Sequence, residues 1–184
     1  MTHTSMPLAE AQQDMRAAYV GGSSGAVASA VAWLVAGIVA LEVSSRSAVV
    51  ALFLGGALIF PVSVVISKAL GASGTHSRAN PLGALALEST GFMLLCFPIV
   101  FAVSLYRIEW FFPAMLLVVG GRYLSFSTLY GMRLYWAFGG VLAMAAYVLF
   151  SLSTSPATSA FTGAAIECGF AGLLFVIASR KNVV

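Results

Sequence analysis

Six apolar stretches, each long enough to cross a bilayer, take up almost the whole of this 184-residue chain. A spanning helix needs about 20 mainly apolar residues. The stretches run over 18–41, 47–69, 82–105, 110–130, 133–152 and 158–179. Three of them hold a charged residue well inside: Glu88, Arg122 and Glu167. An ionisable group in hydrocarbon is costly and normally faces a partner or a water-filled cavity. The stretches set the architecture, and the three charges are the strongest pointer to function.

Lipid must be the solvent for most of the molecule. Hydrophobic residues make up 60% of the chain and charged residues 8%, against roughly 25% charged in a soluble domain. The expected fold class is all-α: a polytopic transmembrane helical bundle of six spans over 18–181, with a short amphipathic segment over 1–17 leading into it. Pro7 at a first-turn position and Glu10 just after it suit the start of that segment. The first apolar run is too long for the core of a signal peptide. A formal net charge of +3 offers no basic surface to a nucleic acid. Cys96 and Cys168 lie inside apolar stretches, which predicts free, buried thiols rather than a disulfide. The expected partners are the bilayer, a small polar solute or ion, and a second copy of the chain. No cofactor is expected.

Six spans place both termini on one side. That side collects Arg16, Lys68, Arg78, Arg133, Arg180 and Lys181, while the other has only Arg46 and Arg107. The positive-inside rule then predicts cytoplasmic termini in a bacterial inner membrane. Asn80 followed by Pro81 reads as an N-cap with proline in the first turn, starting the third span. Trp110, Phe111 and Phe112, and separately Tyr135 and Trp136, fall at span ends and read as interfacial anchors.

The faces that carry the charges can be read from helical periodicity. Gly163, Glu167 and Ala171 share one face of the sixth span, and Ala84, Glu88 and Gly91 share one of the third. Small residues mark faces that approach another helix, so both carboxylates are expected to point into the bundle. Arg122 shares a face with Ser125 in the fourth span, with Tyr123, Ser127 and Tyr130 on the neighbouring stripe. Counting from the outer turns at 1.5 Å per residue puts Arg122 about 19 Å and Glu167 about 16 Å deep. A guanidinium between two carboxylates in depth could reach either one. In the second span Gly55 and Gly56 precede Pro61, which lacks an N–H for the Ala57 carbonyl. A kink or break is expected there, and broken helices occur at transporter sites. Gly21 and Gly25, four residues apart in a run rich in small residues, suit close helix packing or a homodimer face. Trp33 lies too deep for an aromatic belt and reads as a packing residue.

Catalytic motifs fail on context. Gly21-Gly22-Ser23-Ser24-Gly25 fits the G-x-S-x-G pattern, but that motif needs a strand-to-helix elbow and a histidine base. Gly71-Ala72-Ser73-Gly74 resembles the G-x-S-G of rhomboid proteases, which implies a histidine on a later span. The chain has only His3 and His76. There is no metal-binding spacing of His or Cys.

At Asn80-Pro81-Leu82, at Gly121–Tyr130, and at Gly56–Pro61 with Ser67-Lys68, the chain resembles a family of small bacterial multi-span proteins of unknown function. The resemblance covers most of the chain and implies the six-helix architecture but no activity. It also implies a histidine where this chain has Arg122, and a proline where it has Ser125. Arginine keeps a hydrogen-bond donor at that position but does not change charge near neutral pH.

Two functional expectations follow. The first is a transporter or channel-like protein for a small polar or ionic solute. Glu167 would be its central ligand or proton carrier, Arg122 an anion partner or charge balance and Glu88 the guard of the cytoplasmic approach. Ser125 and Tyr123 would line the site, and Gly55, Gly56 and Pro61 would form the gating element. The second is a non-transporting assembly or lipid-interacting protein, in which the charges form a dry structural network.

Overall fold

A computed structural model describes residues 6–181. Residues 1–5 of the expected N-terminal segment, His3 among them, lie outside the described residues, as does the Lys181 side chain. The described chain is all-helical: α1 (Leu8–Ala18), α2 (Ser23–Glu42), α3 (Ser45–Ala69), α4 (Leu82–Tyr106), α5 (Phe111–Tyr130), α6 (Leu134–Ser151) and α7 (Pro156–Lys181). Six of these are long and apolar enough to cross a membrane, and they coincide with the six apolar stretches.

The spans form two layers. α2 packs between α3 and α7, while α5 packs between α4 and α6. Tight crossings are made by small residues. A Cβ on Gly55 would lie 2.9 Å from the Ala32 Cβ, and one on Gly163 would lie 2.7 Å from the Trp33 ring. At the α5–α6 crossing a Cβ on Gly139 would sit 2.6 Å from the Gly120 carbonyl oxygen. Helices in lipid gain little from hydrophobic exclusion, so close backbone contact of this kind supplies much of their association. Trp33 is 1% exposed; it fills the space that Gly163 leaves and lies against Phe112.

α1 closes one end of the bundle. Ala11, Met15 and Ala18 are its buried stripe, the i, i+4, i+7 spacing of an amphipathic helix. Gln12 donates to the Thr128 carbonyl at 2.8 Å and Arg16 donates to the Tyr130 carbonyl, at the last turn of α5. Asn80 donates to the Ala11 carbonyl at 2.9 Å and to Asp14 at 2.8 Å. The Asn80 side chain also accepts from the Leu82 N–H at 2.9 Å. Pro81, not Asn80, is therefore the N-cap of α4, but the Asn80 side chain still takes up the first helical N–H and at the same time fastens the α3–α4 loop to α1. Tyr19 and His76 share a hydrogen bond of 2.9 Å across the same junction.

Several expectations are corrected. Gly21 and Gly25 do not form a helix crossing. Val20, Gly21 and Gly22 all have positive φ and make the sharp turn between α1 and α2, while Gly25 has nothing near its Cβ position. α3 runs unbroken through Pro61. Pro61 is exposed, and the Ser63 hydroxyl donates to the Phe60 carbonyl at 2.7 Å. Phe111, Phe112 and Tyr135 are fully buried core residues rather than interfacial anchors. Trp110 stays at its span end, with the Arg107 guanidinium 5.1 Å from its ring, and Trp136 is exposed. Both cysteines are free, but neither is fully buried: Cys96 is half-buried and Cys168 is exposed.

The turn before α2 gives a paired test. A Cβ on Gly22 would collide with the Tyr135 hydroxyl, and a side chain with φ of +87° is strained in any case. We expect Gly22→Ala to cost at least about 1–3 kcal/mol. Gly25→Ala, in open space within a helix, should be neutral or stabilising by up to about 1 kcal/mol. Thermal unfolding of the two purified variants in detergent checks this; equal losses would contradict it.

Candidate functional site

Glu167 is the one carboxylate drawn into the bundle. It is 0% exposed and sits near the middle of α7, on the face shared with Gly163 and Ala171. Because Gly163 packs directly on Trp33, this face of α7 lies hard against α2. The close approach brings Ser29 of α2 to the carboxylate, and its hydroxyl donates to Oε1 at 2.9 Å. From α5, the Tyr123 hydroxyl donates to Oε2 at 2.7 Å. Each carboxylate oxygen thus has one neutral donor, and three helices meet at one side chain.

Aromatic rings wall one side of this site. Tyr123 stacks on Phe138 at 3.9 Å between ring centroids, and Phe138 stacks on Phe170 of α7 at 4.3 Å. Tyr123 also stacks on Tyr135, which stacks on Tyr130. Tyr135 donates to the Gly21 carbonyl at 2.7 Å, so the column runs from the α1–α2 turn down to Glu167. Rings so arranged exclude water from that side and strengthen the hydrogen bonds beside them.

Arg122 turns the other way, toward α4. Its guanidinium donates to the Thr90 hydroxyl at 3.0 Å and lies 5.2 Å from the Phe126 ring. Met93 lies at 3.6 Å from it, and its Nε is buried with no partner. Ser125 donates to the Ser89 hydroxyl at 2.9 Å, one turn along the same seam. The result is a second polar patch, made of Ser89, Thr90, Arg122 and Ser125. Serine and threonine hydroxyls beside a guanidinium can accept from it and also donate to an anion or polar solute.

The expected Glu–Arg–Glu network is not formed. Arg107 with Glu109, at 3.9 Å in the α4–α5 turn, is the only ion pair among the described residues. Arg122 reaches neither carboxylate, and Glu88 is exposed. The physical reason is rotational. α4 is held to α5 through Ser89 and Thr90, and one residue is about 100° around a helix. That turns Ala84 and Glu88 outward. Of the other expected site residues, Tyr123 and Ser125 face the two polar patches. Gly55 packs on Ala32 while Gly56 meets open space, and Pro61 lies on the outside of α3. Ser29, Ser89 and Thr90 went unnoticed as site residues. Their only sequence signal is a small hydroxyl inside an apolar stretch, and many such residues merely bond their own helix. Among the described residues no group of three or more His, Cys, Asp or Glu comes together to hold a metal.

The Glu167 contacts yield a test by stability. Tyr123→Phe removes one donor from a buried carboxylate and should cost about 1–3 kcal/mol. Ser127→Ala, whose hydroxyl only bonds the Leu124 carbonyl of its own helix, should change stability little. Thermal unfolding in detergent separates the two; an unaffected Tyr123→Phe protein would contradict the geometry.

No curated protein matches this chain, and no solved structure matches it. A family model described as a family of unknown function (DUF7010) matches residues 8–177, and the chain belongs to that family.

Proposed function

We propose that this integral membrane protein carries a small polar or ionic solute across the bilayer, with Glu167 as the group that takes up and releases a proton or small cation. The observation that supports this reading is a fully buried carboxylate held by two neutral hydroxyls, with no cation among the described residues within ion-pairing distance. An ionised carboxylate in that setting is uncompensated and expensive. Binding a proton or a small cation cancels the charge. Arg122 with Ser89, Thr90 and Ser125 would hold an anionic or polar group on the other side of α5. Movement of α3 against α2 at Gly55, eased by Gly56 and Pro61, would open the route. Glu88, on the outside of α4, would act at one approach. We place the termini in the cytoplasm of a bacterium, on the charge asymmetry of the loops.

The second reading has its own support in the aromatic column. Stacked rings beside Glu167 suit a dry structural tie in a lipid-interacting or assembly protein. The two readings differ in what Glu167→Gln does. Glutamine keeps a carbonyl for one hydroxyl donor but cannot exchange a proton.

Proton flux into proteoliposomes, followed with a trapped pH-sensitive dye under an imposed potassium diffusion potential, decides between them. We expect the unsubstituted protein to let the imposed potential drive protons across and change the internal pH, and Glu167→Gln to fall to the rate of empty liposomes. Arg122→Gln should retain proton flux and lose any stimulation by an added anion. Proteoliposomes no leakier than empty ones, or equal flux from the protein and its Glu167→Gln variant, would remove the transport reading.

A further inference from the structure

A long groove runs along the outer face where α2, α3 and α7 meet, with a volume of about 610 Å³. Val31, Leu34, Phe161, Ala165, Cys168 and Gly172 form much of its wall. The lining is almost wholly hydrocarbon, with Ser23 and Ser24 at the end nearest α1. From Ser23 to Leu34 the groove follows α2 for eleven residues, about 16 Å, which is half the thickness of a bilayer core. It is therefore one leaflet deep. It opens sideways to lipid, since Val31 and Leu34 are about half exposed.

At its α1 end the groove meets a second cavity of about 550 Å³, and Leu70 borders both. This one is also mainly apolar but has a polar edge: Gln13 and Arg16 of α1 line it, with Gly71 and Ala72 of the α3–α4 loop and Ile177 and Ala178 of α7. Arg16 gives one Nη1 hydrogen to the Tyr130 carbonyl, which leaves further N–H groups of its fork for a ligand. Arg180, exposed, follows Ile177 by three residues, which places it on the same side of α7. An apolar slot one leaflet long thus leads toward Arg16, with Arg180 one turn beyond the last α7 residues of the second cavity.

We propose that the groove and the adjoining cavity together form a binding site for one anionic phospholipid. An acyl chain lies in the α2–α3–α7 slot, and the phosphate sits between Arg16 and Arg180 at the mouth. Length, polarity and charge of the site each match a part of that molecule. A zwitterionic lipid offers the same phosphate, but its ammonium group offsets the charge, so the arginines favour the anionic headgroup. Gly172 is the place to block the slot, because a side chain built there meets open space rather than protein.

Native mass spectrometry of the full chain, exchanged into detergent with dioleoylphosphatidylglycerol or dioleoylphosphatidylcholine, tests this. We expect one phosphatidylglycerol retained, about tenfold more tightly than phosphatidylcholine. Gly172→Phe should abolish retention of both lipids while leaving the melting temperature in detergent unchanged. Arg180→Gln, at an exposed position, should narrow the preference between the two lipids while keeping chain binding. Arg16→Gln should do the same, and Arg180→Gln carries the test on its own where Arg16→Gln fails to fold. Equal retention of the two lipids, or undiminished retention in Gly172→Phe, would overturn the proposal. So would a dimer of the chain that Gly172→Phe dissolves, since a second copy would then occupy the slot.

Discussion

The Glu167 carboxyl, bonded to Ser29 on one oxygen and Tyr123 on the other, sets the terms for the rest of the bundle. A group this polar is tolerated in hydrocarbon only when its oxygens are satisfied. Satisfying them requires α2, α5 and α7 to meet at one depth. α2 and α7 can come that close because Gly163 leaves room for Trp33, and Gly37 leaves room for Phe161 in the same interface. α5 is held in register by α6, where Gly120 and Gly139 bring the backbones together. The aromatic column then fills the wedge between α5, α6 and α7. The small residues and the large rings are complementary parts of one arrangement, and both serve the depth at which the carboxyl is placed.

α1 works at the end of this arrangement rather than within it. It lies across the last turn of α5 and the loop that starts α4, using Gln12, Arg16, Asp14 and Asn80. Its departure into α2 is made by three successive residues with positive φ, and the middle carbonyl of that turn accepts the Tyr135 hydroxyl. The aromatic column is thereby anchored at the turn. By contrast, α4 touches the bundle along one narrow seam. Only Leu82 and Val100 are buried in it, so most of its surface is left to lipid. The polar patch around Arg122 lies in that seam, between the least enclosed helix and the core.

The number, lengths and type of the helices were legible in the chain, because apolar length is a direct physical requirement for spanning. The burial of Glu167 was legible too, from Gly163 and Ala171 on its face. Glu88 misled by the same rule. Ala84 and Gly91 mark a face of small residues, but nothing in the stretch says that the serine and threonine one and two residues later make the contact instead. Interfacial aromatics misled at Phe111, Phe112 and Tyr135, since a ring near a span end looks the same whether it faces headgroups or a neighbouring helix. Gly21 and Gly25 carried two signals, a packing spacing and a turn. The turn prevailed because α1 has to fold back over the bundle. Ser29 could not be singled out, as its role depends on a contact 138 residues away in the chain.

Infrared difference spectroscopy of the reconstituted protein, recorded between acid and alkaline buffer in H2O and in D2O, tests the central role of Glu167 most directly. The account predicts a carboxylic C=O band that titrates, shifts in D2O and is missing from Glu167→Gln. A protein whose difference spectrum is unchanged by Glu167→Gln, or whose band neither titrates nor shifts in D2O, would show the carboxyl to be a sealed structural tie and would contradict the account.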